Sequence, residues 1–226
     1  MKIDLITLQA VNNYGSVLQS FATQEFLRLH GCDVRIIHYR RMSSAEKLTV
    51  KDAVMGNIKG SILKLPLKLP FHLLTLRRLY EAFEGFRKNH LNIEERKPRV
   101  GMKDFSGYES DADAFCTGSD QVWNSYYNKG ILPELYLAWC PEGSYKFAFS
   151  ASFGKSELSP EEVRDTQKWI DDYRHISVRE DSGVKILEEQ YHYNKALHVL
   201  DPTLCLSGNT WREYVKTTNG EGGYRR

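Results

Sequence analysis

A doubly wound α/β domain on a mostly parallel sheet is predicted by three observations. Apolar runs of strand length recur near residues 3, 34, 112, 146, 175 and 198. Helical periodicity fills most of the intervals between them. The first cycle of strand, helix and strand has the length of a right-handed βαβ crossover, which makes its two strands parallel.

Ile3 to Leu8 reads as the first strand and Gln9 to Ser16 as the loop that leaves it. Val17, Leu18, Phe21, Ala22, Phe26, Leu27 and Leu29 then recur at helical spacing, and Gly31 closes the helix at a C-cap position. Val34 to Tyr39 is the second strand. The first loop therefore lies at the carboxyl edge of the sheet, where a helix N-terminus offers free N–H groups to an anion or a sugar hydroxyl. Asn12, Asn13, Tyr14 and Ser16 suit such a ligand, and Gly15 lets it approach the backbone. An Asn-rich N-cap with no ligand accounts equally well for the same residues. Neither the G-x-G-x-x-G fingerprint nor a Walker lysine is present.

Residues 43–104 read as an insertion. Lys51 to Leu63 and Leu74 to His90 look helical, with Leu65 to Pro70 between them, whose prolines rule out a continuous spanning helix. Leucines interleaved with Lys64, Lys68, Arg77 and Arg78 across 62–78 resemble a membrane-interface segment, and fit a lid or a core-packing segment as well.

Ala112 to Thr117 is a buried strand that stops at Gly118, where a residue with a β-carbon would strain the turn. Ser119, Asp120, Gln121 and Asn124 then gather hydrogen-bonding groups beside Trp123, a composition that suits a hydroxyl-rich ligand at a strand end or simply a capped turn. Tyr145 to Gly154 is the next strand. Ser159-Pro160-Glu161-Glu162 starts a helix that runs to about Tyr173. Ile176 to Glu180 delivers Arg179 to the same edge, Asp181 or Ser182 caps a helix through Leu187, and His198 to Thr203 is the last strand and its exit turn. His38 and His175 fall in strand patterns and read as packed. The expected organisation is one lobe over 1–216 carrying the insertion, with 217–226 a linker or frayed tail.

An apolar fraction of 41% across 226 residues supports a sizeable core, and the formal charge of +2 names no partner. Basic residues crowd the interval from Arg35 to Lys88, but no helix-turn-helix, RNP or zinc pattern accompanies them, so nucleic acid is not expected. An anionic substrate or membrane face is the better match. Cys32, Cys116, Cys140 and Cys205 are far apart and sit in or beside apolar runs, as reduced thiols of a cytoplasmic protein would; no metal set is expected. Met1 leads straight into a strand, and no signal peptide fits there.

Three blocks together carry a family resemblance. They are Asn13-Tyr14-Gly15-Ser16-Val17-Leu18-Gln19-Ser20, with Gly31 and Ile36-Ile37-His38-Tyr39 downstream; Gly118-Ser119-Asp120-Gln121-Val122-Trp123-Asn124; and Ser177-Val178-Arg179-Glu180 followed by Leu200-Asp201-Pro202-Thr203. In that order and spacing the chain resembles the polysaccharide pyruvyl transferase family. The resemblance implies a Rossmann-like lobe of a two-lobed GT-B-type fold, a phosphoenolpyruvate donor and no further cofactor. It also implies a saccharide or lipid-linked saccharide acceptor and work at the inner face of the membrane on exopolysaccharide biosynthesis. Family members usually continue into a second lobe, so the donor site is expected to be incomplete within this chain.

Under that resemblance Arg179 is the expected contact for the anionic donor, unless it only pairs with Glu180 or Asp181. Asp120 is expected either to take the proton of the attacking hydroxyl or to accept a hydrogen bond from the sugar. Trp123 would stack on the sugar, with Asn13, Tyr14, Gly15, Ser119 and Asn124 completing the acceptor cleft. Asp201 either lines that cleft or merely forms a turn. Two other readings stay open: a non-catalytic saccharide- or membrane-binding remnant, and half of a GT-B-type glycosyltransferase.

Overall fold

The computed structural model describes residues 1–41 and 65–214, with the side chains of 65–73 and 76 excepted. Six parallel strands, β1 (Lys2–Ile6), β2 (Asp33–Ile36), β3 (Ala114–Thr117), β4 (Lys146–Ala151), β5 (His175–Val178) and β6 (Leu197–His198), form one sheet in the order β2-β1-β3-β4-β5-β6. This is the doubly wound α/β architecture the sequence predicts. The strand order reverses between β1 and β3, whose ends meet with Ile6 opposite Thr117. A crevice opens beyond the carboxyl ends at such a reversal, and there this kind of sheet takes its ligands.

Strand alternation builds a core on each face. Ile3, Leu5, Val34, Ile36, Ala114 and Cys116 join one cluster, while Ile6, Ile37, Phe115, Ala148, Ile176 and Val178 join the other. Helix α1 (Tyr14–Leu29) covers the first face, and its Phe21 is fully buried. Gly31, at φ 81, ends α1 with N–H donation to the Arg28 carbonyl, as the C-cap reading expected. Helix α2 (Leu65–His90) packs on α1 through Phe86, 5.6 Å from the Phe21 ring. Here the expectation fails in part, because the run from Leu65 to Pro70 is the start of α2 rather than a break. Pro66 sits in the first turn, where its missing N–H would be unpaired anyway. Helix α3 (Ser125–Asn128) is a single turn that follows β3.

Helix α4 (Pro160–Asp171) opens with Ser159 as its side-chain N-cap, as the sequence indicates. Helix α5 (Asp181–Lys185) runs into a π turn over Ile186–Gln190. The last strand is shorter than expected: β6 ends at His198, and Asp201 caps α6 (Pro202–Cys205), which leads to α7 (Gly208–Tyr214). Trp211 and Tyr214 of α7 lie 5.6 Å and 4.5 Å from the Phe21 ring, so the end of the described chain seals the first core.

The edge of β2 is also covered. Ile36 and Arg40 receive backbone hydrogen bonds from, or give them to, Asn92, Glu94 and Arg99, so the segment after α2 occupies an otherwise open strand. His175 is an exposed residue of β5 rather than a packed one. All four cysteines are free thiols, and among the described residues no helix is long and apolar enough to cross a membrane. The expected helix over Lys51 to Leu63 and the tail over 217–226 lie outside the described residues.

Candidate active site at the strand reversal

The β1–α1 loop is folded by its own side chains. Asn13 caps α1 by accepting from Gly15 N at 2.8 Å and Ser16 N at 3.4 Å, which turns Ser16 toward β3. A second brace comes from far along the chain. Arg87 of α2, only 5% exposed, donates to the Gln9 carbonyl at 2.8 Å, the Val11 carbonyl at 2.9 Å and Asn12 Oδ1 at 2.8 Å. Behind the loop, Gln19 Nε2 donates to Thr7 Oγ1 at 3.0 Å, and Thr7 in turn donates to the Ser119 carbonyl at 2.9 Å, locking the β1 and β3 exits together.

Gly118 is required for a reason other than turning. A β-carbon there would sit 3.0 Å from both Leu5 Cδ1 and Thr7 Cβ, so glycine is what lets β3 run close to β1. The strained residue is Asp120, at φ 83, a left-handed conformation uncommon for a residue with a side chain. Its carboxylate is held on both oxygens. Ser16 Oγ donates to Oδ2 at 2.5 Å and Gln121 N donates to Oδ1 at 2.8 Å.

Arg179 arrives from the end of β5, and its Nη2 lies 3.7 Å from Asp120 Oδ1. Its Nε donates to Glu180 Oε1 at 2.9 Å and its Nη1 to Asp201 Oδ2 at 3.0 Å. Burial alone would lower the Arg179 pKa, but the hydrogen bond and charge of Glu180, the charge of Asp120 and the hydrogen bond of Asp201 outweigh it and raise it. The ion pair with Glu180 that the sequence offered as an alternative is thus present, while Asp181 pairs instead with His198 at 2.8 Å. Both readings of Asp201 are realised: Oδ1 accepts from Thr203 N at 3.0 Å as a cap, while Oδ2 faces Arg179.

A cleft of about 340 Å³ lies over this cluster, lined by Asn13, Gly15, Ser16, Asp120, Gln121, Tyr127, Arg179, Asp201 and Thr203. Of the expected site residues it brings together Asn13, Gly15, Asp120 and Arg179. The other four are placed elsewhere. Trp123 is 1% exposed, its ring stacked 5.5 Å from Tyr136 and its Nε1 bonded to the Leu135 carbonyl, so it has no face to offer a sugar. Ser119 is fully buried beneath the loop. Asn124 caps α3 through Tyr127 N and donates to Gln121 Oε1 at 2.7 Å, which makes it a support for the cleft wall. Tyr14 is 67% exposed but turns the other way, against Phe83 at 5.0 Å.

Tyr127, Thr203 and Arg87 are the contributors that sequence reading passes over. Thr203 follows a recognisable Asp-Pro start, whereas nothing local marks Arg87 for this loop, since its loop partners lie 75 to 78 residues away. One guanidinium and two carboxylates line the cleft, and a third, Glu180, pairs with the guanidinium. With hydroxyl and amide groups between them, this arrangement can accept hydrogen bonds from several sugar hydroxyls and hold a proton acceptor in place.

A family model described as polysaccharide pyruvyl transferase matches residues 13–225. No curated protein and no solved structure gives a significant match.

Proposed function

The chain belongs to the polysaccharide pyruvyl transferase family, and on that premise we propose that it moves a pyruvyl group from phosphoenolpyruvate to a saccharide acceptor. The product is a pyruvate ketal on two sugar hydroxyls of a cell-surface polysaccharide or its precursor. In the balanced reaction the enol methylene gains a proton and becomes a methyl group. Two sugar oxygens bond to the former enol carbon, phosphate leaves, and of the two hydroxyl protons one ends on the methyl carbon and the other with phosphate.

The observation that supports this reading most is the junction of Ser16, Asp120 and Arg179, from three separate loops, in one polar cleft at the strand reversal. Asp120 takes the proton of the attacking hydroxyl, its orientation fixed by Ser16 and Gln121. Asn13, Gln121 and Thr203 hold the sugar. Arg179 meets the donor's carboxylate by exchanging its loosest partner, Asp120 at 3.7 Å, which leaves that carboxylate free to act as base just as donor arrives.

One observation favours a second reading, saccharide binding without turnover. Three carboxylates already surround Arg179, so its charge is spent before any anionic donor enters. Incubation with phosphoenolpyruvate and a panel of acceptor glycans separates the two: released phosphate matched by a ketal methyl signal in the proton NMR spectrum supports transfer. Saturable glycan binding with no phosphate released supports the second reading and contradicts the first.

A further inference from the structure

A second groove, of about 360 Å³, lies on the other side of the Gln9–Asn13 loop, between the end of β2 and the last turns of α2. Arg40, Lys88 and Arg96 line it together with Arg87 and three glutamates. The glutamates do not neutralise it evenly. Glu84 is bonded to Arg87 at 2.8 Å, and Glu94 to Arg99 and to the His38 backbone N–H, which leaves Glu95 against Arg40, Lys88 and Arg96.

Arg40 is the odd member. Its backbone N–H is used, donating to the Arg99 carbonyl at 2.8 Å, but its guanidinium has no carboxylate partner among the described residues, and Nε is sealed from solvent with no acceptor. A shielded guanidinium nitrogen without an acceptor is costly, and native structures seldom leave one so. Burial lowers the Arg87 pKa, Glu84 opposes it by charge and hydrogen bond, and the neighbouring positive charge of Arg40 lowers it further, which places the Arg40 guanidinium near that of Arg87. Beside Arg87, the three cations Arg40, Lys88 and Arg96 are set around a concave surface, and a guanidinium fork matches phosphate oxygens well.

We propose that this groove is an anion site for a phosphate or diphosphate group, seated on the Arg40 guanidinium with Lys88 and Arg96 at its rim. It is separate from the Asp120 cleft, from which the loop braced by Arg87 divides it. A phosphate monoester and the diphosphate of an activated sugar share the chemistry the groove recognises.

The test is isothermal titration of the full chain with inorganic pyrophosphate and, separately, with inorganic phosphate, at constant ionic strength and without any turnover substrate. Saturable pyrophosphate binding is expected, weakened roughly 10-fold or more in Arg40→Gln and several-fold in Lys88→Gln, and unchanged in Arg179→Gln. Lys88 is exposed, so its variant folds even where Arg40→Gln loses thermal stability. Tighter binding of pyrophosphate than of phosphate identifies a diphosphate ligand, and equal binding a monoester. Absence of saturable binding, or equal binding by wild type, Arg40→Gln and Lys88→Gln, overturns the proposal. Loss in Arg179→Gln alone also overturns it, because the anion then belongs to the Asp120 cleft and the proposed transfer activity is untouched.

Discussion

Ser16 Oγ donates a 2.5 Å hydrogen bond to Asp120 Oδ2, joining loops that are 104 residues apart in the chain. Ser16 is 5% exposed, so no bulk water stands ready to replace that donor. In Ser16→Ala the carboxylate keeps only the Gln121 N–H and the looser contact with Arg179. A hydrogen bond to a charged group contributes about 1.5–3 kcal/mol, so kcat/KM in a phosphate-release assay is expected to fall by roughly 10-fold to 100-fold. Unchanged kinetics would mean that Ser16 does not orient Asp120.

Arg87 ties α2 to the site. Replacing it with leucine leaves three acceptors in the Gln9–Asn12 loop without their donor and should cost about 3–5 kcal/mol in urea unfolding. Hydrogen exchange of the Gln9 to Ser16 amides is expected to quicken more than that of the β4 and β5 amides. Uniform quickening across the sheet would show that Arg87 supports the fold generally and not this loop.

Gly154, at φ 58, is the close approach behind the cleft wall. A β-carbon there would fall 2.5 Å from Asn124 Nδ2 and 2.9 Å from Gln121 Oε1, breaking the amide pair that holds Gln121 in place. Gly154→Ala should lose about 1–3 kcal/mol from backbone strain and displacement, read as a drop of roughly 2–10 °C in Tm. A melting temperature equal to wild type would contradict this account.

Alkaline pH should weaken the fold for an identifiable reason. Burial raises the Cys116 and Cys140 thiols above their ordinary 9.0, pushes Tyr191 from 10.0 up to about 12, and raises Tyr136 and Tyr173 well above 10.0. Between the unfolded and folded values only the unfolded chain gives up these protons, so the native state holds more of them and stability falls as pH rises. Their contribution is complete below pH 9 and declines through the range above, by about 1.4 kcal/mol per pH unit for each group. Urea midpoints from pH 7 to 11 should be level up to about pH 9 and then fall, less steeply in Tyr191→Phe.

What could be read from the sequence was whatever depends on neighbours. Ser159 before Pro160, Gly31 after a helical run and the alternation along Ile3 to Ile6 state their structure locally, and the parallel pairing of β1 with β2 follows from the length of the first βαβ unit. Asp120 and Arg179 were legible because each is a charged residue at the end of a short apolar strand. Trp123 was misjudged because its surroundings in sequence are polar, whereas its ring is enclosed by Tyr136, Phe153 and Tyr173 from three other segments. Tyr14 shares that cause: the direction it faces is set by Phe83, brought in by a helix that begins some fifty residues downstream. Arg87 was invisible for the converse reason, since an arginine on an amphipathic helix gives no local sign that its partners lie in another loop.

The most direct measurement is steady-state phosphate release from phosphoenolpyruvate with a productive acceptor, comparing wild type with Asp120→Asn. The amide is the same size and keeps one accepting oxygen for either Ser16 or Gln121, but it cannot take a proton, so kcat should fall by about 10²-fold to 10⁴-fold while acceptor KM changes little. If Asp120→Asn turns over within threefold of wild type, the carboxylate at the strand reversal is not the base, and the chemistry assigned to this cleft is wrong.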